Sequence, residues 1–249
     1  MARLVLGWAL VAMVVSLGSA RAADPSSPDE GDAEGATRPD PTIFPPCPGE
    51  VRVCARLRIW ITSDPREHGA DDTFLLEQLA TANRLHAPAG LGFEVAAIEP
   101  LDATLAAIET RTDRDALGAE RSQLAVAEPR PSAPRTPRVV DVFVVSRLAN
   151  VDAPAETPTA QIRGVHWRHR RDRARRWIIL SRISPPHVLA HELGHYFGLP
   201  HSSEPRSLMN TGPTALPSAE RFFLPKEVAV ITARAKRFLA EPAQKGRLR

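Results

Sequence analysis

Beyond residue 22 this 249-residue chain lacks any apolar run long enough to cross a bilayer, so no membrane span is expected in the mature protein. Cysteine is nearly absent: Cys47 and Cys54 are the only two. Neither lies where an exported chain would take a lipid anchor. Large apolar side chains are almost missing from Ala23 to Pro46, a stretch of Asp, Glu, Pro, Ser and Gly that cannot offset its ordering entropy by burial. That segment reads as a leader without fixed structure, either a tether or a short propeptide, ending near residue 49.

What precedes the leader is the one strongly apolar segment, Leu4 to Leu17, after an early arginine and before the small-residue pattern Ala20-Arg21-Ala22. It is too short to span comfortably and has the flanks of a signal peptide, residues 1–22, so export is expected, to a secreted or periplasmic location. There Cys47 and Cys54 would meet oxidising conditions, and a disulfide between them is the plain reading. The remaining 200 or so residues, 50–249, suffice for one core of ordinary size.

Within that domain Val51 to Ile61 alternates apolar and polar residues, the pattern of a half-buried strand. Asp71 or Asp72 can cap a helix through Phe74, Leu75, Leu79 and Ala82 to about His86, with Pro88 and Gly90 ending it. Gly92 to Ile98 reads as a second strand. The strand, helix, strand order makes the two strands parallel. Leu101, Leu105 and Ile108 have helical spacing within Leu101 to Ala127, and PRPSAPRTPR follows; the region 101–138 reads as an insertion, either a surface helix with a solvated loop or a lid. Val139 to Val145, Gln161 to Trp167 and the buried-type run Trp177 to Leu180 are further strands. Six arginines fall between Arg168 and Arg176. They form either a solvated hairpin tip or a patch for a polyanion or acidic substrate, and the sequence pI of 9.3 suits both. Ser184 as cap and Pro185 in the first turn would open a helix packed through Val188, Leu189 and Leu193. A last helix, Pro225 to Leu239, would turn Val228, Ile231, Ala235 and Phe238 or Leu239 inward.

The chemistry is concentrated in HELGHYFGLPHSSEPRSLM, His191 to Met209. A chance match to H-E-x-x-H-x-x-G-x-x-H is on the order of 10⁻⁵ for this composition. On a helix His191 and His195 share a face and can present their imidazoles to one metal ion. Glu192, rotated roughly 100° away, can take a proton from a water without being a ligand. Gly198 can adopt positive φ, end the helix and bring His201 round as third ligand. Three protein ligands leave one tetrahedral position open, which marks a catalytic zinc site.

This stretch resembles the metzincin metallopeptidases and is most similar to the matrixins, with Ser202 after the third histidine and a short proline-containing loop leading to Met209. The resemblance implies an α+β metzincin-like domain: a mixed twisted sheet of about five strands, an active-site helix and a C-terminal helix. It implies one catalytic Zn2+, a peptide or protein substrate, Met209 beneath the imidazoles, and an antiparallel edge strand, Gly164, Val165 and His166, that pairs with substrate. Asn210 to Ser218 would wall the pocket for the residue after the cleaved bond.

By the same resemblance Cys47, in PPCPGE, could instead be a thiolate plugging the metal, although the arginine and aspartate of the matrixin motif are missing; leader aspartates such as Asp40 offer another plug. Nothing between Val145 and Gly164 resembles the matrixin structural-zinc and calcium loop, which leaves structural Ca2+ without support. Tyr196 is the only tyrosine, so the tyrosine that follows the methionine in some metzincins has no counterpart. The expected activity is that of a secreted, monomeric zinc endopeptidase; the rivals are a zinc amidase or carboxypeptidase on cell-wall or small peptides, and a non-catalytic polyanion-binding module.

Overall fold

The computed structural model describes residues 41–62, 71–118, 139–151, 161–172 and 175–240, all within the unit Ala36–Arg249. The expected signal peptide (1–22), the expected leader up to Asp40, the later part of the expected insertion (119–138) and residues 152–160 lie outside the described residues. Among the described residues no helix is long and apolar enough to cross a membrane.

The elements run β1 (Val53–Thr62), α1 (Asp72–His86), β2 (Leu91–Leu101), β3 (Ala107–Ile108), a helix α2 over 111–118, β4 (Val139–Val145), β5 (Arg147–Leu148), β6 (Gly164–Arg168), β7 (Arg176–Ser181), α3 (Val188–Tyr196) and α4 (Pro225–Ala240). The main sheet has the order β2-β1-β4-β7-β6. Four strands are parallel and β6 alone runs antiparallel, against β7. This is the mixed five-stranded α+β architecture expected from the resemblance.

Alternation along the strands sends side chains to two cores. Val140, Val142 and Val144 of β4, with Ile178 and Leu180 of β7, pack beneath α1, α3 and α4. Phe143, Val145, Trp177 and Ile179 point the other way and join Trp60, Leu101, Ile108, Leu117 and Leu148. The first strand is therefore not half-solvated as its alternation suggested: Trp60 is buried on the second face and stacks on Phe143, with ring centroids 5.5 Å apart. A polar pair is sunk in that same face, where Asp141 accepts from Arg58 Nε at 2.7 Å and from Trp60 Nε1 at 3.1 Å.

The insertion departs from expectation in its described part. Leu101 closes β2, Leu105 ends a short 3-10 turn and Ile108 lies in β3, so the three share no helix. Their spacing serves burial against the second sheet face instead. Helix α2 adds Leu117 to that core, and the buried Arg114 donates to the Ala149 carbonyl at 2.8 Å. These residues form the cover of the second face rather than a surface appendage.

Elsewhere local signals act as read. Asp71 caps α1, accepting from Phe74 N at 2.7 Å, and Gly90 leaves the turn at φ 64°. Asn83 ties α1 to β2 by accepting from Phe93 N and donating to Phe93 O. Cys47 and Cys54 form a disulfide, with Cα atoms 6.0 Å apart. The pairing leaves neither sulfur as a thiolate to plug a metal.

Candidate active site

Helix α3 starts at Val188, four residues after the expected cap. Ser184 does not cap it; its hydroxyl donates to the carbonyls of Ser181 and Arg163. Pro185 and Pro186 lack N–H groups and continue the turn into His187. The capping is supplied from another helix. The buried Gln78 of α1 accepts from Leu189 N at 3.0 Å and donates to Ser184 O at 3.0 Å and Pro185 O at 2.9 Å. No sequence signal marks Gln78, which reads as one more polar residue on an amphipathic helix.

The C-terminal end of α3 is closed by Gly198 at φ 97°. Leu199 N donates to Gly194 O and Gly198 N to His195 O, both left exposed by the end of the helix. The chain reverses there, and His201 is carried back towards His191 and His195. One nitrogen from each imidazole lies within 4.8 Å of the others.

Two of the rings have a fixed tautomer. His191 Nδ1–H donates to Leu208 O at 2.8 Å and His195 Nδ1–H to Leu199 O at 2.8 Å. Each Nε2 is thereby left with its lone pair, the form a metal needs. Burial pushes His191 down to about 4 and lowers His195 as well, so both are neutral at ordinary pH. These donors fit a zinc ion by type, number and tautomer.

Beneath them Met209 is fully buried. A Cβ on Gly194 would come within 2.7 Å of its sulfur, so the methionine lies directly against the helix backbone one residue before His195. The Met209 segment is also joined to the third histidine's: Ser202 N donates to Met209 O at 3.1 Å. Ser207 accepts from Met209 N at 3.0 Å and donates to the buried Glu227 of α4 at 2.7 Å, while Glu227 also accepts from Leu224 N at 2.8 Å. Glu227 thus closes the start of α4 and holds the methionine turn. Its place three residues into a predicted helix was the one available hint.

Glu192 is buried, and burial pushes its carboxyl up to about 8 against the opposing hydrogen bond from the His166 backbone N–H. The edge strand β6 lies directly over it. A Cβ on Gly164 would meet Val188 Cγ1 at 2.6 Å and Glu192 Cγ and Oε1 at 3.2 Å, so a larger residue there would push the strand off the helix. Val165 faces the second core, and His166 faces α3, its ring 5.6 Å from that of Tyr196. Burial, then Arg168 and Arg176, push His166 down to about 3.

The described part of the arginine run, 168–172 and 175–176, lies where β6 gives way to β7, and several of its members are engaged internally. Arg170 pairs with Asp115 of α2 at 2.6 Å, Arg175 donates to Gly118 O, and Arg176 donates to Tyr196 O at 2.8 Å with its guanidinium over the Tyr196 ring. Asp115 also accepts from Trp167 Nε1 at 2.8 Å, which fastens the edge strand to the insertion. A shallow depression of about 630 Å³, wide open to solvent, lies between β6 and the end of α3, lined by His166, Trp167, Arg168, His195, Gly198, Leu199 and Pro200.

A helix carrying two histidines and a glutamate, a glycine turn returning a third histidine, a buried methionine below and an antiparallel edge strand above define a metzincin-like site. The matrixin family model matches residues 147–227, about a third of the chain, and covers every one of these features. No curated protein sequence matches the chain.

Solved structures with similar folds include metalloproteinase-II from Bacteroides fragilis, at 12% identity and TM-score 0.48, covering 75% of this chain; this chain spans only 55% of that one. A zinc-dependent peptidase from Methanocorpusculum labreanum (15% identity, TM-score 0.41) is matched over 71% of this chain and 100% of its own. Archaemetzincin from Methanopyrus kandleri (14% identity, TM-score 0.41) is matched over 76% and 98%.

Proposed function

We propose that this chain is an exported zinc-dependent endopeptidase, in which His191, His195 and His201 hold the metal and Glu192 is the general base. The observation that carries the reading is the convergence of three imidazole nitrogens within 4.8 Å beside a buried carboxylate that is not among them. Export rests on residues 1–22 and suits the Cys47–Cys54 disulfide. Residues 50–249 are the catalytic domain, and the segment from 23 to 49 is a tether or propeptide.

Zinc, when bound, would acidify a water, polarise the scissile carbonyl and draw the Glu192 carboxyl back towards its ionised form. Glu192 then takes a proton from the attacking water and returns it to the leaving nitrogen. Leu208 and Leu199 keep the first two imidazoles in the ligating tautomer through their carbonyls. Gly198 provides the turn that returns His201, and Met209 fills the space below the rings. Strand β6 is the last in the sheet order, so its outer edge can pair with an extended peptide beside Gly164, Val165 and His166. An open groove of this kind suits the middle of a chain better than its end.

Digestion of an unfolded protein such as casein, with and without chelator, tests the reading. Wild type should cleave internally, lose activity with chelator and regain it with zinc. Glu192→Gln should keep its zinc and lose at least about a hundredfold in turnover, since general-base catalysis contributes 10² to 10⁴. Release of single terminal residues would favour the carboxypeptidase alternative, and action on cell-wall peptides alone the amidase one. Retention of more than about a tenth of the rate in zinc-loaded Glu192→Gln would remove Glu192 as the base.

A further inference from the structure

The cleft under β6 has two ends, and the one at the start of α3 gathers basic side chains from three separate segments. His187 stands just before α3, and His191 N donates to its carbonyl at 3.0 Å, so it lies one helical turn ahead of His191 on the same face. Arg163 directly precedes Gly164, the residue of β6 that rests on Val188 and Glu192. Arg221 comes in shortly before α4. Its Nη1 donates to Asn210 O at 2.8 Å, and its Nη2 stands 3.4 Å from His187 Nε2. The three are within electrostatic reach of one another: after burial, Arg221 and then Arg163 lower the His187 pKa.

No acid balances them. Among the described residues no carboxylate forms an ion pair with Arg163, His187 or Arg221. Glu192, on the same helix, takes its hydrogen bond from the His166 backbone N–H instead. Arg221 is also short of acceptors. Its Nε is buried and has no hydrogen-bond partner among the described residues, and burial lowers its pKa. The Nη2 contact is long for a hydrogen bond. The well-held group is therefore Nη1, while Nε and Nη2, which together make the side-on fork that matches a carboxylate, are left without a strong acceptor.

We propose that this end of the cleft binds a carboxylate of the substrate, with the Nε and Nη2 groups of Arg221 as the fork and Arg163 as the second charge. The carboxylate would take that edge of Arg221 in place of the long His187 contact. The inference rests on the peptidase reading for the placement of the peptide, but it concerns recognition rather than chemistry. One helical turn is about 5.4 Å and one extended residue about 3.4 Å. The carboxylate therefore belongs within about two residues of the bond held over His191 and Glu192. It is either an acidic side chain there or the free end of a chain that stops there.

The test uses full-length wild type, Arg163→Glu, Arg221→Gln, Lys236→Glu and Glu192→Gln. Arg163 is exposed and its printed bonds run through its backbone carbonyl, so its variant should fold even if Arg221→Gln loosens the Asn210 turn. One set of quenched fluorescent peptides, amidated at the C-terminus, carries Glu, Gln or Lys at each position in turn; a second set ends one or two residues past the bond as free acid or amide. At one position wild type should prefer the carboxylate to its amide in kcat/KM by about three- to tenfold. That preference should shrink between about 0.05 and about 0.5 M salt. Arg221→Gln should abolish it and Arg163→Glu should reduce or reverse it, while Lys236→Glu, exposed on α4, should leave it unchanged. Preference in the first set assigns the site to a side chain, and preference in the second set alone assigns it to a chain end. Binding of the same peptides to Glu192→Gln, followed by fluorescence anisotropy, should show the same order without turnover. Binding with this preference but no cleavage by wild type would sink the peptidase reading and leave the recognition standing. No carboxylate preference in either set, or one that survives Arg163→Glu at full size, would overturn the inference.

Discussion

The third histidine is the residue on which the proposed metal site depends most. His191 and His195 come from adjacent turns of α3, so any helix with that spacing would offer them. His201 arrives only because Gly198 takes φ 97° and Ser202 is tied to Met209. Two ligands from one helix turn form an incomplete site. His201→Ala should therefore fold as wild type does by circular dichroism yet lose most of the one zinc expected per chain in metal analysis. Zinc near one per chain in that variant would remove His201 from the ligand set.

Two elements owe their ends to distant side chains, and each can be tested there. Gln78 makes three hydrogen bonds that join α1 to the start of α3, and it is buried. Gln78→Ala would leave Leu189 N and Ser184 O without these partners, while Pro185 O keeps its bond from Val188 N; the cost is about 1–3 kcal/mol for a buried donor. A lowered urea midpoint with unchanged slope is the expected result. Glu227 plays the matching part at α4, and its loss strands both Ser207 and Leu224 N. Glu227→Ala should destabilise by about 1–3 kcal/mol and weaken zinc binding through the loosened Met209 turn. Its neighbour Lys226, in an exposed 3.9 Å pair with Glu204, should be replaceable by alanine without measurable effect on either. If the two variants behave alike, Glu227 does not hold the turn.

Across the whole molecule, the core beneath the sheet contains a histidine that the site does not use. His86 is wholly buried against Phe93 and Phe223, and burial pushes it down to about 4 despite the bond from Nδ1–H to Ala82 O. Its folded value lies below the unfolded one near 6.5, so the folded state binds fewer protons between the two. The contribution is complete above about pH 6.5 and is lost as pH falls towards 4, roughly 3 kcal/mol in all. Urea unfolding at pH 7 and pH 5 should show wild type losing about 2 kcal/mol more than His86→Leu. Equal losses would mean that His86 is not buried as a neutral ring.

How much of this was legible in one dimension follows from the range of each interaction. Local pattern marked β4 to the residue and the start of α1 to one of two neighbouring aspartates, because an apolar run and a helix's cap are local properties. The candidate metal-site motif was legible for the same reason: Glu192 and two of the three converging histidines lie within one helix, and a glycine turn is written at a single position. The identity of Leu101, Leu105 and Ile108 was not, since their helical spacing is overridden by burial against the sheet's second face. The start of α3 was misplaced because its cap, Gln78, is more than a hundred residues away.

The sequence alone thus determined the three candidate ligands, the carboxyl beside them that we propose as base and the glycine that turns the chain, all encoded within nineteen residues from His191 to Met209. The resemblance implied a methionine below and an edge strand above, and the tertiary structure decided which backbone positions they press on: Gly164 against Glu192 and Met209 against Gly194. The physical reason is that these close approaches join different elements, a strand to a helix and a turn to that helix's far side, and such contacts exist only once the core has closed around the sheet.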